Sequence, residues 1–197
     1  MRIFRALATN LVAIKTLYLI RHGESLFNKL FEIKKNPSVH LDSYLTPKGI
    51  NQALDLKTEI RELKLGEIYC STANRTLQTA WFSLAPSLRS KLHFCPSLVE
   101  RIEHPKNLWN NPLGHQIEFP DFDFRRVQYD FVPCSIPETP LCFQTRILST
   151  WKALESGTVC STLTLVGHCD FFSYLLEILI GKRVILNNAE IIRVDFG

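Results

Sequence analysis

The stretch Tyr18-Leu19-Ile20-Arg21-His22-Gly23-Glu24-Ser25 decides how the rest of the chain reads. Its first part is apolar and aromatic, which predicts a buried strand over residues 16–20. The strand stops at an arginine, a histidine and a glycine, so a permanent cation and an imidazole stand on the turn that follows. Gly23 allows a sharp backbone path there, and Ser25 is a candidate N-cap for the next element. Ligands of open α/β sheets bind beyond the carboxyl ends of strands, which makes this turn a candidate site.

Two later stretches repeat the pattern. Glu67-Ile68-Tyr69-Cys70 reads as a short strand, closed by the capping pair Ser71-Thr72 and followed by a helix with Arg75 in its first turn. Leu163-Thr164-Leu165-Val166 is a buried strand ending at Gly167-His168. Ahead of Glu67, Thr46 and Pro47 open an amphipathic helix that uses Ile50, Ala53, Leu54, Ile60 and Leu63 and runs to about Leu65. A further helix spans about 138–155 through Phe143, Ile147, Leu148, Trp151 and Leu154, with Gly157 near its end. A buried helix follows from Phe171 to Ile180, closed by Gly181, and residues 191–196 form a last strand. Strands alternating with helices predict an α/β fold: a three-layer sandwich with a mainly parallel sheet and helices on both faces.

From Pro96 to Pro140 the composition shifts. Seven of the ten prolines lie here, with Trp109, Phe119, Phe122, Phe124, Tyr129 and Phe131, and neither period is sustained. This predicts an irregular cap inserted at about 96–140 within a single domain of 197 residues.

If the three strand ends are neighbours, Arg21, His22, Arg75 and His168 face one cavity. Arginine stays charged and grips phosphate through its planar fork. A neutral imidazole is a competent nucleophile toward phosphorus. Flanking arginines lower its pKa and keep a lone pair available. A leaving alkoxide also needs a proton, so a carboxyl group with a raised pKa is expected nearby. Taken singly, each residue has a blander explanation as a solvated charge or a structural imidazole. Their joint placement at strand ends favours phosphoryl transfer.

Composition removes other classes. The net charge of +4 is dispersed and no basic run of five occurs, which argues against nucleic acid. No apolar run approaches the length of a membrane span. The irregular spacing of Cys70, Cys95, Cys134, Cys142, Cys160 and Cys169 favours reduced thiols and a cytoplasmic location. Residues 1–15 carry Arg2, Arg5 and Lys15 and no acid; an extra strand or arm is preferred there over an organellar targeting segment.

The residues that carry this chemistry also carry a resemblance. Leu19-Ile20-Arg21-His22-Gly23-Glu24-Ser25 with Asn28 is similar to the signature of the histidine phosphatase superfamily, in its phosphoglycerate mutase-like branch. Leu45-Thr46-Pro47-Lys48-Gly49 with Gln52-Ala53, Ser71 with Arg75, Gln78, Thr79 and Ala80, Leu98-Val99-Glu100, Leu165-Val166-Gly167-His168 and Asn187-Asn188-Ala189-Glu190 follow in the family's order. The resemblance implies that His22 is phosphorylated. Arg21, Arg75 and His168 hold the phosphoryl oxygens, Asn28 assists, and Glu100 donates and accepts the proton. It implies a small phosphorylated substrate and neither metal nor organic cofactor for hydrolysis. Two departures stand out: Cys169 replaces a usual glycine, and Asp170 is a rival to Glu100, although capping the next helix is its simpler role.

A metal-independent phosphatase acting on a small phosphomonoester is favoured. The alternative is a mutase, for which Arg101, Arg125 and Arg126 are candidate substrate-binding residues and 2,3-bisphosphoglycerate the cofactor. Ile102-Glu103-His104-Pro105 depart from the mutase pattern. A second alternative is a catalytically weak member that binds a phosphorylated ligand or a protein. The oligomeric state stays open, with a homodimer as one option.

Overall fold

A computed structural model describes residues 13–33, 42–103, 117–126 and 133–196. Residues 1–12, and with them the arm or targeting segment, lie outside this set, as do His104, Pro105, Trp109, Tyr129 and Phe131.

The first strand, β1, spans Thr16–Arg21 and lies near the centre of a five-stranded sheet. The others are β2 (Glu67–Cys70), β3 (His93–Phe94), β4 (Thr162–Gly167) and β5 (Ile191–Asp195), in the spatial order β3-β2-β4-β1-β5. Four strands run parallel, and β5 pairs antiparallel with β1 at one edge. The expected α/β architecture is therefore present, and β2, β4 and β1 are consecutive neighbours. Ile20 stands opposite Val166, and Val166 opposite Cys70, so the three strands end at one level.

Alternation along the strands divides the core into two faces. Leu17, Leu19, Leu163 and Leu165 pack on α5 (Pro140–Gly157) and α6 (Cys169–Ile180) through Phe143, Ile147, Trp151, Phe171 and Leu175. Tyr18, Ile20, Ile68 and Val166 pack the other way, against α2 (Pro47–Arg61) and α3 (Asn74–Ser83) through Leu56, Ile60, Leu77 and Ala80. Two shorter helices, α1 (Leu26–Glu32) and α4 (Pro86–Arg89), complete the set used below.

Several local expectations are corrected. Helix α2 ends at Arg61 rather than Leu65, and its buried stripe is Gly49, Ala53, Leu56 and Ile60; Leu54 is exposed. Ser71 and Thr72 do not cap α3. Its N-cap is Ala73, and the carboxylate of Asp42 accepts from the Asn74 N–H at 2.8 Å. A tertiary neighbour thus satisfies the helix end that a local hydroxyl was expected to satisfy. Asp170 does not cap α6 either; His168 is the N-cap residue and Asp170 lies within the first turn. Gly181 ends α6 in the left-handed region at φ 70°, where glycine carries no Cβ penalty.

Cysteine use also departs from expectation. Cys134 and Cys142 form a disulfide, while Cys70, Cys95, Cys160 and Cys169 are free. The path into α5 folds residue 134 back onto the helix's first turn and brings the two Cα atoms to 6.3 Å, within bonding reach. In the 96–140 segment, Phe119, Phe122 and Phe124 are buried against Phe94, with ring centroids of Phe94 and Phe124 4.6 Å apart.

Candidate active site

Three strand ends bring the candidate residues together. His22 follows β1, and its backbone N–H donates to the carbonyl of Gly167 on β4 at 3.1 Å. Arg75 lies in the first turn of α3, just beyond β2. His168 follows β4 directly. The two imidazoles lie edge to face, with ring centroids 5.2 Å apart, and both are buried.

The turn after β1 is held by residues of α2 and α3. Gly23 N–H donates to Thr79 Oγ1 at 3.1 Å, and Glu24 N–H to Gln52 Oε1 at 2.8 Å. Gly23 is required for close approach rather than for a sharp turn: a Cβ there would lie 2.5 Å from the Gly49 carbonyl oxygen. Gly49 is tighter still, since its Cβ would meet the Glu24 carbonyl oxygen at 2.0 Å. The two glycines let α2 press onto the turn that carries His22.

The imidazole of His22 is oriented by its own loop. Nδ1 lies 2.7 Å from the Gly23 carbonyl oxygen, which can only accept, so Nδ1 carries the proton. Nε2 therefore keeps its lone pair, and Arg75 Nε donates to it at 3.3 Å. Burial, then the charges of Arg75 and Arg21, hold the His22 pKa well below the usual imidazole range, against the raising effect of the Gly23 bond. The lowering expected of the flanking arginines is therefore present, and burial adds to it as the larger cause.

His168 Nε2 is 2.8 Å from Ser71 Oγ, which gives the residue after β2 its role. Its Nδ1 is buried with no hydrogen-bond partner among the described residues, as is Arg21 Nε. Burial, then the charges of Arg75, Arg146 and Arg21 and the neighbouring His22 imidazole, push the His168 pKa well below the usual range. Arg21 Nη1 donates to the Leu186 carbonyl. Two arginines and two neutral imidazoles thus form a cationic pocket in which Arg21 Nε and His168 Nδ1 are left without a protein partner among the described residues.

Glu100 reaches the same region. Its Oε1 accepts from the Phe171 N–H at 3.3 Å, which sets the carboxyl at the N-terminus of α6, three residues from His168. Burial and the nearby Asp170 carboxylate raise its pKa to about 7, against the lowering influence of Arg75 and the backbone donors. Asp170 stands beside it in the first turn of α6. Burial also raises the Cys169 pKa, and its Sγ is directed to the Leu186 carbonyl at 3.6 Å.

The remaining candidates are engaged elsewhere. Asn28 is the N3 residue of the α1 capping box: its Oδ1 accepts from Ser25 N–H at 3.1 Å and Ser25 Oγ at 3.0 Å. Asn188 Nδ2 also donates to it, at 3.3 Å. The Arg101 guanidinium donates to the Glu138 carbonyl at 3.3 and 3.0 Å. Arg125 is paired with Asp123 at 2.7 Å with its side chain 91% exposed, and Arg126 approaches the same carboxylate at 4.0 Å.

Residues missed by the sequence reading are Asp42, Glu138 and Arg146. Arg146 is 4% exposed, whereas Leu148, expected on the buried face of α5, is 40% exposed. The available signal was an arginine one position before Ile147 and three after Phe143, inside the apolar stripe. Among the described residues, no group of three or more His, Cys, Asp and Glu side chains converges as a metal site. No described helix is long and apolar enough to cross a membrane.

Comparison with known proteins assigns the family. The profile of the histidine phosphatase superfamily (branch 1) matches residues 17–196, and the chain belongs to that family. The fold is similar to the α-ribazole phosphatase of Shigella flexneri, with TM-score 0.67, 22% identity, and 92% of this chain and 91% of that one covered. It is also similar to the Rv3214 product of Mycobacterium tuberculosis, at TM-score 0.63 and 19% identity over 93% and 92% of the two chains. A phosphoserine phosphatase variant from Entamoeba histolytica, solved with phosphoserine, aligns at TM-score 0.60 and 19% identity over 90% and 89%. No curated protein sequence gave a match.

Proposed function

We propose that the protein hydrolyses a small phosphomonoester through a phosphohistidine formed on His22. The observation that carries this reading is the polarity of the His22 ring. Nδ1–H is spent on the Gly23 carbonyl at 2.7 Å, which leaves the Nε2 lone pair facing Arg75. In the first step Nε2 attacks phosphorus, the P–O bond to the leaving group breaks, and Glu100 gives its proton to the departing oxygen. In the second step Glu100, now ionised, takes a proton from water as it attacks phosphorus, and the P–N bond breaks to return neutral His22 and release phosphate. Arg21, Arg75 and the Nδ1–H of His168 bind the phosphoryl oxygens, whose charge must be met throughout an in-line transfer. Ser71, by donating to His168 Nε2, keeps that proton on Nδ1.

This scheme uses no metal and no organic cofactor. Asn28 acts through the α1 cap, and substrate choice is assigned to segment 96–140. The mutase alternative gains no support from these arginines: Arg101 donates to the Glu138 carbonyl, Arg125 is paired with Asp123, and Arg126 Nη1 donates to the Lys91 carbonyl at 3.3 Å.

Rapid quench with a ³²P-labelled phosphomonoester tests the reading. An acid-labile, base-stable phosphoprotein is expected in the unmodified protein and not in His22→Ala. Turnover by His22→Ala at the unmodified rate overturns it. Turnover of 3-phosphoglycerate only with added 2,3-bisphosphoglycerate would establish the mutase instead.

A further inference from the structure

Arg146 and Glu138 form a buried pair with no role in the scheme above. Their side chains are 3% and 1% exposed, and Nη2 lies 2.6 Å from Oε2. Nε donates to the other carboxylate oxygen at 2.8 Å, making the pair bidentate. The rest of the guanidinium is turned to the main chain. Nη1 donates to the carbonyls of Ser97 and Val99, both at 2.8 Å, and Nη2 donates to the carbonyl of Glu100 at 3.1 Å. Those five bonds match the five N–H donors of an arginine.

Glu138 completes the clamp. Its Oε2 accepts from the Ile102 N–H at 2.9 Å, and its own N–H donates to the Ile102 carbonyl at 2.7 Å. The residues on both sides of Glu100 are thereby fixed to the start of α5. The Glu100 carboxyl points the other way, onto the Phe171 N–H of α6. One end of the residue is held by Arg146 and the other by a helix terminus.

Stability alone does not account for this arrangement. Removing two charges from water costs about what their attraction returns, and apolar side chains of similar volume commonly serve as well. What apolar side chains cannot do is hold three carbonyls of an extended segment at once. Small displacements of a proton donor are expensive for the rate, because in-line proton transfer tolerates little error in distance.

We propose that Arg146, held in place by Glu138, is a positioning residue for proton donation: it fixes the main chain at Ser97–Glu100 so that the Glu100 carboxyl is presented to the leaving group. This rests on the assignment of Glu100 as the proton donor. It is distinct from a merely structural role because, in the step that forms the phosphohistidine, its loss is felt only where the leaving group needs a proton.

The test compares two substrates of the purified full chain: p-nitrophenyl phosphate, whose leaving group departs unaided, and β-glycerophosphate, whose alkoxide does not. Arg146→Met alone strands the Glu138 carboxylate, so it is paired with Glu138→Gln. Arg146→Lys serves as the second variant, keeping a charge against Glu138 but not the reach to three carbonyls. For either variant kcat/KM on β-glycerophosphate should fall about 10²-fold, while kcat/KM on the aryl phosphate, which reports formation of the phosphohistidine and not its hydrolysis, changes by less than about threefold. In a Glu100→Gln background the same substitutions should add no further selective loss. Equal losses on both substrates, or a full additional loss in the Glu100→Gln background, overturn the positioning role. Glu100→Gln whose kcat/KM itself falls equally on both substrates removes the proton-donor assignment, and the positioning role falls with it.

Discussion

Arg75 Nε donates to His22 Nε2 across 3.3 Å, so the residue proposed to grip the phosphoryl group also faces the nitrogen proposed to attack it. A phosphoryl group entering between them would trade this hydrogen bond for bonds to its own oxygens. The planar fork matters more than the charge. Arg75→Lys should lower kcat/KM on any phosphomonoester by about 10²-fold or more, since bidentate contact is lost. Steady-state kinetics checks this, and a loss below about threefold would remove Arg75 from the transition state.

The pH profile follows from two groups with opposite requirements. Glu100 must be protonated to donate, and its pKa is raised to about 7. His22 must be neutral to attack, and its pKa is held well below the ordinary value of 6.5. Activity on alkyl phosphates should therefore be high on the acid side of neutrality and fall as pH rises through about 7, with the acidic limb displaced well below 6.5. Glu100→Gln should abolish the basic limb. A profile of kcat/KM against pH for a poor leaving group is the measurement.

Stability should move with pH in the sense set by the two histidines. Both are buried, and both pKa values are lowered in the folded state. The unfolded chain then binds more protons between 6.5 and the folded-state values, so their contribution is fully present above about 6.5 and is lost as pH falls below it. Urea midpoints taken from pH 7.5 downward in ~0.5 steps should decline over that window. His168→Gln should flatten the decline, and an unchanged slope would remove His168 as a cause.

Gly49→Ala tests the backbone contact between α2 and the nucleophile's turn. The new Cβ would lie 2.0 Å from the Glu24 carbonyl oxygen, so main chain must shift. Overpacking of this kind costs about 1–3 kcal/mol. The urea midpoint should fall accordingly, and kcat should fall with it, because the displaced segment carries His22. Undiminished kcat in a destabilised variant would show that the turn is held independently of α2.

Much of this protein was written locally. The apolar run ending in Arg21 and His22, the Thr46-Pro47 helix start and Gly181 at the end of α6 are each decided by the chemistry of a few adjacent residues, and each is found where expected. So is the parallel sheet, because alternating strands and helices leave few other arrangements. The convergence of Arg21, His22, Arg75 and His168 was legible because strand ends mark one edge of such a sheet, whereas Glu100 was named only through the family resemblance. The partners of those residues were not. Asp42 caps a helix 32 residues away and Ser71 faces a histidine 97 residues away. Arg146 binds carbonyls as many as 49 residues away. Gly23 looked like a turn residue because close approach by a distant helix leaves no trace in its neighbourhood. Sequence alone determined which groups could perform phosphoryl chemistry, since that depends on side-chain identity and element ends. Which lone pair is free, which carboxyl holds its proton near neutrality and which arginines are already engaged depend on burial and long-range hydrogen bonds, and only the tertiary structure decides those.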